Sequence, residues 1–223
     1  MDPVRRKSSV AQAWLTLRGL IGLVRSDAAT EATWNTEEGL QYSRANQLAL
    51  QSLTAQPEVA PLIRERYQSD SFCVERLLQC PAGSLGHAFA TRMTEEQLDP
   101  NFYRKVPVVD DASYIILRLR QCHDIWHVVT GFGTDEVGEI SLKAFEMAQA
   151  RRPVAAIIVA QFILKAVLKA PATLPSLFDA IVAGYQMGKT AKPFLAQRWE
   201  DGWDKPVSLW RAELGLGPVR AGA

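Results

Sequence analysis

Cysteine and histidine are both rare in this chain of 223 residues, with three of each. Cys73, Cys80 and Cys122 are odd in number and form no C-x-x-C pair, which argues against a zinc ribbon or a redox site and favours a reducing compartment. The chain also lacks a large excess of positive or negative charge, because its 25 Lys and Arg residues are balanced by 24 Asp and Glu residues. A nearly neutral chain without a basic patch predicts no nucleic-acid partner.

Long hydrophobic runs are also missing. The longest, Val154 to Leu168, is interrupted by Gln161 and Lys165 and falls short of the roughly 20 residues that span a bilayer. The apolar stretch near the N-terminus is broken by Arg18 and has no small-residue cleavage site, so the sequence predicts no secretory signal, and an organellar leader is the less favoured interpretation. Residues 10–24 are instead predicted to form a basic amphipathic helix, either packed on the core or lying at a membrane interface.

The composition, 48% hydrophobic and 22% charged, is that of a globular protein. Apolar residues recur at helical spacing and strand-like alternation is rare, so we predict an all-α fold in one compact domain. The predicted parts are an N-terminal segment over 1–34, a helical domain over 35–215 and a tail over 216–223. The predicted helices cover 10–25, 36–53, 56–69, 71–80, 85–93, 111–130, 135–150, 153–169, 175–189, 193–202 and 206–214.

Local signals suggest where several of these helices begin. Thr94 with Gln97 has the spacing of a capping box, and Asp111 can cap the helix that follows it. Pro175 and Pro206 occupy predicted first positions of helices, where the missing N–H of proline is tolerated.

The residues that indicate chemistry are His123 and His127, which are four apart in the sequence His-Asp-Ile-Trp-His. On a helix this spacing stacks both imidazoles on one face, within reach of a single metal ion. Asp124 can turn toward the same ion, and Glu139 follows on the next predicted helix after eleven intervening residues. Two imidazoles and two carboxylates suit zinc first, then iron or manganese, and magnesium less, because magnesium prefers oxygen ligands.

The alternative for His123 and His127 is that they are core histidines satisfied by Asp124 and backbone carbonyls. Two arginines precede them on the same apolar helix. Arg118 and Arg120 can extend from this helix to solvent, but Arg120 shares the face of His123 and can instead bind a substrate carboxylate or phosphate through two nitrogens.

Taken together, these residues resemble the family of the fourth coenzyme Q biosynthesis protein. His-Asp-x-x-His followed by eleven residues and Glu is similar to the metal signature of that family, and the similarity covers roughly residues 35–215. Other segments resemble the family as well. They are the P-x-G-S-L-G segment at Pro81–Gly86, the R-x-R-x-x-H-D-x-x-H helix at Arg118–His127, the Gly138-Glu139 pair, and the closing Arg198-Trp199-Glu200 through Leu214.

The resemblance implies an all-helical ubiquinone biosynthesis protein with an apolar pocket for a polyprenyl tail and a buried helix pair that binds a divalent metal through His123, Asp124, His127 and Glu139. The implied reaction is decarboxylation at C1 of a 4-hydroxy-3-methoxy-5-polyprenylbenzoate, with or without oxidation, and we expect catalytic roles for Asp124, Glu139 and Arg120. Implied partners are a polyprenylated benzoate or quinone intermediate, a membrane surface, other ubiquinone enzymes and a second copy. The implied location is cytoplasmic and peripheral on an inner membrane, or the matrix side of the mitochondrial inner membrane in a eukaryote.

Two other functions stay open at this point. An HD-type metal phosphohydrolase would add His87 and a distal aspartate such as Asp179 to the His123-Asp124 pair. A non-enzymatic scaffold would bind the polyprenyl lipid and organise other enzymes, since four protein ligands close a tetrahedral site and closed zinc sites are structural.

Overall fold

The computed structural model describes residues 11–18, 29–68 and 71–217. The all-α prediction is confirmed, since extended pairing within these ranges is confined to one isolated bridge between Ser84 and Pro206. The α-helices are α1 (residues 11–18), α2 (Ala29–Leu40), α3 (Arg44–Thr54), α4 (Ala60–Glu65), α5 (Val74–Leu77), α6 (Leu85–Glu95), α7 (Asp111–Thr130), α8 (Glu136–Ala150), α9 (Pro153–Lys169), α10 (Leu174–Thr190) and α11 (Val207–Glu213).

Helix α7 is the central element, and it is apolar on nearly every side, as expected of a helix enclosed by others. Its N-terminus is fixed by a reciprocal capping box between Asp110 and Ser113, in which each side chain accepts from the other's backbone N–H at 2.8 and 2.9 Å. Asp111 is therefore the first helical residue, and the prediction that it is the cap was wrong by one position. The helix ends at Gly131, whose φ of 81° is a left-handed conformation that glycine adopts without strain.

An aromatic cluster joins α7 to the C-terminal part of the chain. Phe194 lies at its centre, with ring centroids 5.5 Å from Trp126, 4.7 Å from Phe145 and 5.3 Å from Trp199. Trp199 in turn lies 4.8 Å from Trp210. Edge-on and tilted contacts of this kind add to the free energy that burial of the rings provides. The predicted helix over 193–202 is wrong, because these residues form two short 3-10 turns, Phe194–Ala196 and Trp199–Gly202, that direct the rings inward.

The P-x-G-S-L-G segment holds the C-terminal part in place through its backbone. Leu85 and Gly86 donate to the carbonyls of Lys205 and Trp203, at 2.9 and 2.8 Å, and Val207 donates back to the carbonyl of Gly83 at 3.0 Å. This segment therefore has a structural role at the start of α6. Pro206 lies just before α11, outside its first turn, and Pro175 lies within the first turn of α10.

Helices α8 and α10 pack with their backbones close together. A Cβ at Gly184 would lie 2.0 Å from the carbonyl oxygen of Ser141, and one at Gly188 would lie 2.6 Å from that of Phe145. A larger side chain at either glycine would push the helices apart. This glycine contact fixes α8, which carries Glu139.

Three predicted N-terminal helices differ from the structure. The predicted helix 36–53 is two helices, because the chain turns after Leu40 and Ser43 caps α3 by accepting from the Asn46 backbone N–H at 3.2 Å. The predicted helices 56–69 and 71–80 shrink to α4 and α5; α4 ends at Arg66, which has a left-handed φ of 54°. The periodicity of apolar residues overestimated these helix lengths because it does not register the turns at which the helices end.

Three further expectations concern caps and segment limits. The Thr94–Gln97 capping box is wrong, because Thr94 lies inside the last turn of α6, where its hydroxyl donates to the Ala90 carbonyl at 2.8 Å. The predicted boundary at residue 35 lies within α2, which packs on α9. The predicted helix over 10–25 is described only at 11–18, where it is helical, and its other residues lie outside the described ranges.

Candidate metal centre

Three of the four predicted ligands lie together where α7 meets α8. One ligand atom each from His123, His127 and Glu139 lies within 4.8 Å of the other two. The Glu139 carboxylate lies 3.2 Å from Nε2 of His127 and 3.7 Å from Nε2 of His123, and the two Nε2 atoms are 3.3 Å apart. The spacing of four residues on α7 thus aligns the imidazoles as predicted, and the start of α8 adds the carboxylate.

The donor chemistry of His127 fits a bound cation. This fully buried imidazole has Nδ1 3.3 Å from the Phe132 carbonyl oxygen, which can only accept, so Nδ1 carries the hydrogen. In the neutral imidazole, Nε2 then presents a lone pair toward the oxygens of Glu139. Two lone pairs facing each other at 3.2 Å need a proton or a metal ion between them. A backbone carbonyl that orients a ligating histidine in this way is common around metal ions.

Main-chain contacts in the connection between α7 and α8 position Glu139. Asp135 caps α8 by accepting from the backbone N–H of Gly138 at 2.8 Å. A Cβ at Gly138 would lie only 2.0 Å from the carbonyl oxygen of Gly133, so this turn closes tightly against the helix. The Gly138-Glu139 pair therefore has a physical basis, because glycine permits the close approach that directs the next residue toward the imidazoles.

The Glu139 carboxyl is ionised over the ordinary pH range. Its burial raises its pKa, but hydrogen bonds from His123 and His127, and the positive charge that these imidazoles carry when a proton rather than a metal ion lies between them and the carboxylate, lower the pKa by more, so the net pKa falls well below that of a free glutamate. Glu139 therefore supplies a negative charge to the group, which suits binding of a divalent cation.

The other predicted ligand, Asp124, is not one of the three residues that converge, but it lines a cavity that His123 and Glu139 also line. The residues required by the phosphohydrolase alternative lie elsewhere. His87 is on α6, where the Thr91 hydroxyl lies 3.4 Å from its Nδ1, and Asp179 is exposed on α10. Within the described ranges, neither residue joins a group able to hold an ion with His123.

A cavity of about 880 Å³ opens beside the candidate metal centre. Its walls come from α2, α7, α8, α9 and the loop after α6. The apolar part of the wall comes chiefly from α9, as residues Val154, Ile158, Phe162, Leu164 and Leu168, with Trp34, Leu98 and Phe102 opposite. A space of this size, apolar over most of its wall and polar near His123 and Glu139, is typical of a small-molecule site.

Lys143 and Glu146 are among the charged residues of the cavity wall that the sequence reasoning missed. Lys143 follows Glu139 by four residues on α8, a spacing that places both on one helix face and was available as a signal. Burial lowers the pKa of Lys143, but the carboxylates of Glu146 and Glu139 raise it by more, so the net pKa is raised and the ammonium is charged.

Arg120 has partners other than a ligand. Its side chain is almost fully buried and donates to Glu37 at 2.8 Å, to Glu38 at 3.2 Å and to the Arg104 carbonyl at 2.7 Å. Glu37 also accepts from Arg152 at 2.7 Å, so the network ties α2 to α7 and α9. Each of the three guanidinium nitrogens therefore already has a partner within the protein.

Arg118 does not extend to solvent, and that prediction was wrong. It is fully buried and donates to both carboxylate oxygens of Glu200, at 2.6 and 2.9 Å, and to the Gln197 carbonyl at 3.0 Å. Its guanidinium also lies 5.1 Å from the ring centroid of Tyr67. Arg118 on α7 and Glu200 of the Arg-Trp-Glu segment near the C-terminus are therefore partners in one ion pair.

The described helices include none that is both long and apolar enough to cross a lipid bilayer. Helix α9 is the most apolar of them, yet Lys165 and Lys169 interrupt it near its end.

Comparisons with known proteins place the chain among ubiquinone biosynthesis proteins. The family model described as "Coenzyme Q (ubiquinone) biosynthesis protein Coq4" matches residues 42–220. The chain is 35% identical over 147 residues, which is 64% of its length, to the mitochondrial ubiquinone biosynthesis protein COQ4 of Eremothecium gossypii, covering 44% of that protein. It is 31% identical over 156 residues, 69% of its length, to the mitochondrial coq4 protein of Aspergillus fumigatus, covering 53% of it. It therefore spans about half the length of these curated relatives.

A solved structure is similar along almost the whole chain. It is the crystal structure of a candidate ubiquinone biosynthesis protein from Nostoc punctiforme PCC 73102, with a TM-score of 0.84 and 33% identity, covering 96% of this chain and 100% of that one. The family match over most of the chain, the related sequences and this shared fold agree with the sequence resemblance. The chain belongs to the Coq4 family of coenzyme Q (ubiquinone) biosynthesis proteins.

Proposed function

We propose that this protein is a metal-dependent enzyme that removes the C1 carboxylate from a 4-hydroxy-3-methoxy-5-polyprenylbenzoate during ubiquinone biosynthesis. The observation that carries the proposal is the convergence of His123, His127 and Glu139 beside a cavity whose wall area is mostly apolar. The polar groups suit an aromatic acid and the apolar wall suits an isoprenoid tail. Family membership supports the pathway, and the donor atoms support the metal.

His123, His127 and Glu139 would hold the ion, with Asp124 as a fourth ligand or as a neighbour in contact with substrate. Zinc is our first choice, ahead of iron and manganese, because two imidazole nitrogens are present. When bound, a divalent ion supplies Lewis acidity toward a carboxylate or ring oxygen and lowers the pKa of a bound water to about 7.

The chain's own residues perform the remaining tasks. Apolar side chains of α9, among them Ile158 and Phe162, contact the tail and exclude water from the ring. In the non-oxidative reaction, the bond from C1 to the carboxylate carbon breaks, carbon dioxide leaves, and the electron pair that stays on C1 takes up a proton. Asp124 lines the cavity, and where it contacts the substrate rather than the metal we assign to its carboxyl the relay of that proton from solvent to C1.

The polyprenyl tail also requires contact with a membrane, because such a chain has negligible solubility in water. Leu164, Val167 and Leu168 are exposed near the end of α9, and two of them line the cavity. We propose that this end of α9 faces a lipid surface from which the tail enters. Replacing Leu164, Val167 and Leu168 together with serine should abolish sedimentation of the protein with liposomes. Unchanged sedimentation would contradict the proposed membrane contact at this end of α9.

Turnover of the polyprenyl hydroxymethoxybenzoate tests the reaction, using purified protein of measured metal content in lipid, with and without oxygen. We expect metal-dependent product from the unaltered protein and none from His123→Ala, while His87→Ala, altered outside the candidate metal centre, keeps its activity. Product only in air would identify an oxidative reaction. Bound lipid and metal without product under either condition would instead favour the non-enzymatic scaffold, whose metal would hold α7 and α8 together.

A further inference from the structure

A buried ion pair lies in the cavity one helical turn beyond Glu139. Nζ of Lys143 lies 2.9 Å from Oε2 of Glu146, and both residues line the cavity wall. Their side chains are 15% and 9% exposed. Within the described part of the chain, Glu146 is the residue that accepts a hydrogen bond from this ammonium. A lysine ammonium has three N–H donors, so two remain available to a ligand.

The other cations on the cavity wall are less suited to a ligand anion. Each of the three nitrogens of Arg120 already donates to a protein group, namely Glu37, Glu38 and the Arg104 carbonyl. Lys165 and Lys169 are exposed near the end of α9, and Lys165 is paired with Glu136 at 3.0 Å. Lys143 combines low exposure, a position on the helix face of Glu139 and unused donors.

From this geometry we infer that Lys143 is an anion-binding position that accepts the carboxylate of the bound benzoate, with Glu146 holding the ammonium in place. The inference rests on the proposed function and specifies which residue recognises the acid group. Glu146 provides the counter-charge that a buried ammonium needs when the cavity contains no anion. An arriving carboxylate then accepts a charge-assisted hydrogen bond from a donor that is already desolvated and oriented.

An anion-binding lysine would distinguish the substrate from the product by affinity. The decarboxylated phenol has the same tail and ring substituents but no carboxylate, so it makes no ionic bond with Lys143. The protein should therefore bind the benzoate more tightly than the phenol, and loss of the carboxylate should weaken the hold on the product.

Equilibrium binding of two probes tests the inference, namely the polyprenyl hydroxymethoxybenzoate and the corresponding phenol with the same tail, in matched detergent. Quenching of tryptophan fluorescence reports binding, since Trp34 lines the cavity. We expect Lys143→Met to bind the benzoate roughly 10- to 100-fold more weakly, the range for one charged hydrogen bond, and the phenol within about twofold of the unaltered protein. Lys189→Met, altered at an exposed lysine of α10 outside the cavity lining, should change neither affinity.

Lys143→Met leaves Glu146 buried without its partner, so Lys143→Met with Glu146→Gln removes both charges and protects the test from unfolding. The double variant should bind the benzoate roughly 10- to 100-fold more weakly than the unaltered protein, as expected for Lys143→Met alone. Unchanged benzoate affinity in either variant, or affinity restored in the double variant, would overturn the anion position while the proposed function stands. Failure of the unaltered protein to bind both probes would refute the proposed function itself.

Discussion

Arg118 and Glu200, 82 positions apart in the chain, form a bidentate ion pair in the interior, with N···O distances of 2.6 and 2.9 Å. Neither side chain is more than 10% exposed, so each charge depends on the other for the hydrogen bonds that water would otherwise give. The pair ties the central helix α7 to the Trp199–Gly202 turn, and the aromatic cluster packs around the same turn.

Breaking this pair should be strongly destabilising. We expect Glu200→Gln to lower the free energy of unfolding by about 3–5 kcal/mol, because it leaves a buried guanidinium without a counter-charge. Urea denaturation followed by circular dichroism measures the change. The control is Glu65→Gln, which breaks the exposed pair with Arg198 and should lower the free energy by less than about 1 kcal/mol. Equal losses in the two variants would contradict the role of burial.

Gly138→Ala should disturb the candidate metal centre through the backbone. The added Cβ would lie 2.0 Å from the Gly133 carbonyl oxygen, so α8 or the turn before it must move and carry Glu139 away from the imidazoles. We expect a loss of about 1–3 kcal/mol in unfolding free energy, as for other overpacked sites, together with weaker zinc binding. Gly217→Ala, where an added Cβ meets no atom within 4 Å, should leave both properties unchanged.

Removing one ligand should remove the ion. We expect His127→Ala to lower zinc affinity by more than the roughly 10- to 100-fold that loss of a neighbouring hydrogen-bond partner causes. Competition with a fluorescent chelator measures the affinity, and His87→Ala provides the matched control on α6. Retention of full affinity in His127→Ala would show that the three converging residues do not bind zinc together.

The cap of α7 predicts a dependence of stability on pH. Burial raises the pKa of Asp110, but hydrogen bonds from the backbone and hydroxyl of Ser113 and from Tyr42 lower it by more, so the net pKa is below that of a free aspartate. A carboxyl whose pKa is lowered by folding stabilises the protein above the pKa of the unfolded chain, and this stability is lost as pH falls through the folded-state pKa.

Asp110→Asn tests that dependence, because asparagine remains a good cap but does not titrate. Between about pH 5 and pH 2, we expect the free energy of unfolding to fall less steeply in the variant than in the unaltered protein. Denaturation at a series of pH values gives both slopes. Parallel curves would show that Asp110 has the same pKa in the folded and unfolded chain.

The sequence predicted long helices well and distant pairings poorly. The predicted bounds of α7 and α9 match the structure, because a continuous apolar pattern ends at a clear stop signal in each, Gly131 in the first. The proximity of the His123 and His127 imidazoles could be predicted from their helical spacing alone. The ion-pair partners of Arg118 and Arg120 could not be predicted in this way, because Glu200 and Glu37 lie more than 80 residues away in opposite directions along the chain.

The cavity was also beyond local reasoning, as its wall combines α2, α9 and the loop after α6 through long-range packing. Lys143 is a residue of the cavity wall that local reasoning could have identified. Its spacing from Glu139 on the same helix could have identified it before the structure was known, because residues four apart share a helix face.

The contact between Gly138 and the Gly133 carbonyl has a thermodynamic consequence for any ion that arrives at Glu139. Two of the proposed ligands project from one turn of a buried helix, and the third is aligned by main-chain atoms, so the conformational entropy of ordering them is lost when the protein folds. Under the proposed function, an incoming ion would therefore encounter a preorganised site. We expect its affinity to depend mainly on the match between ionic radius and the space left by these side chains, and the turn between α7 and α8 to influence metal selectivity.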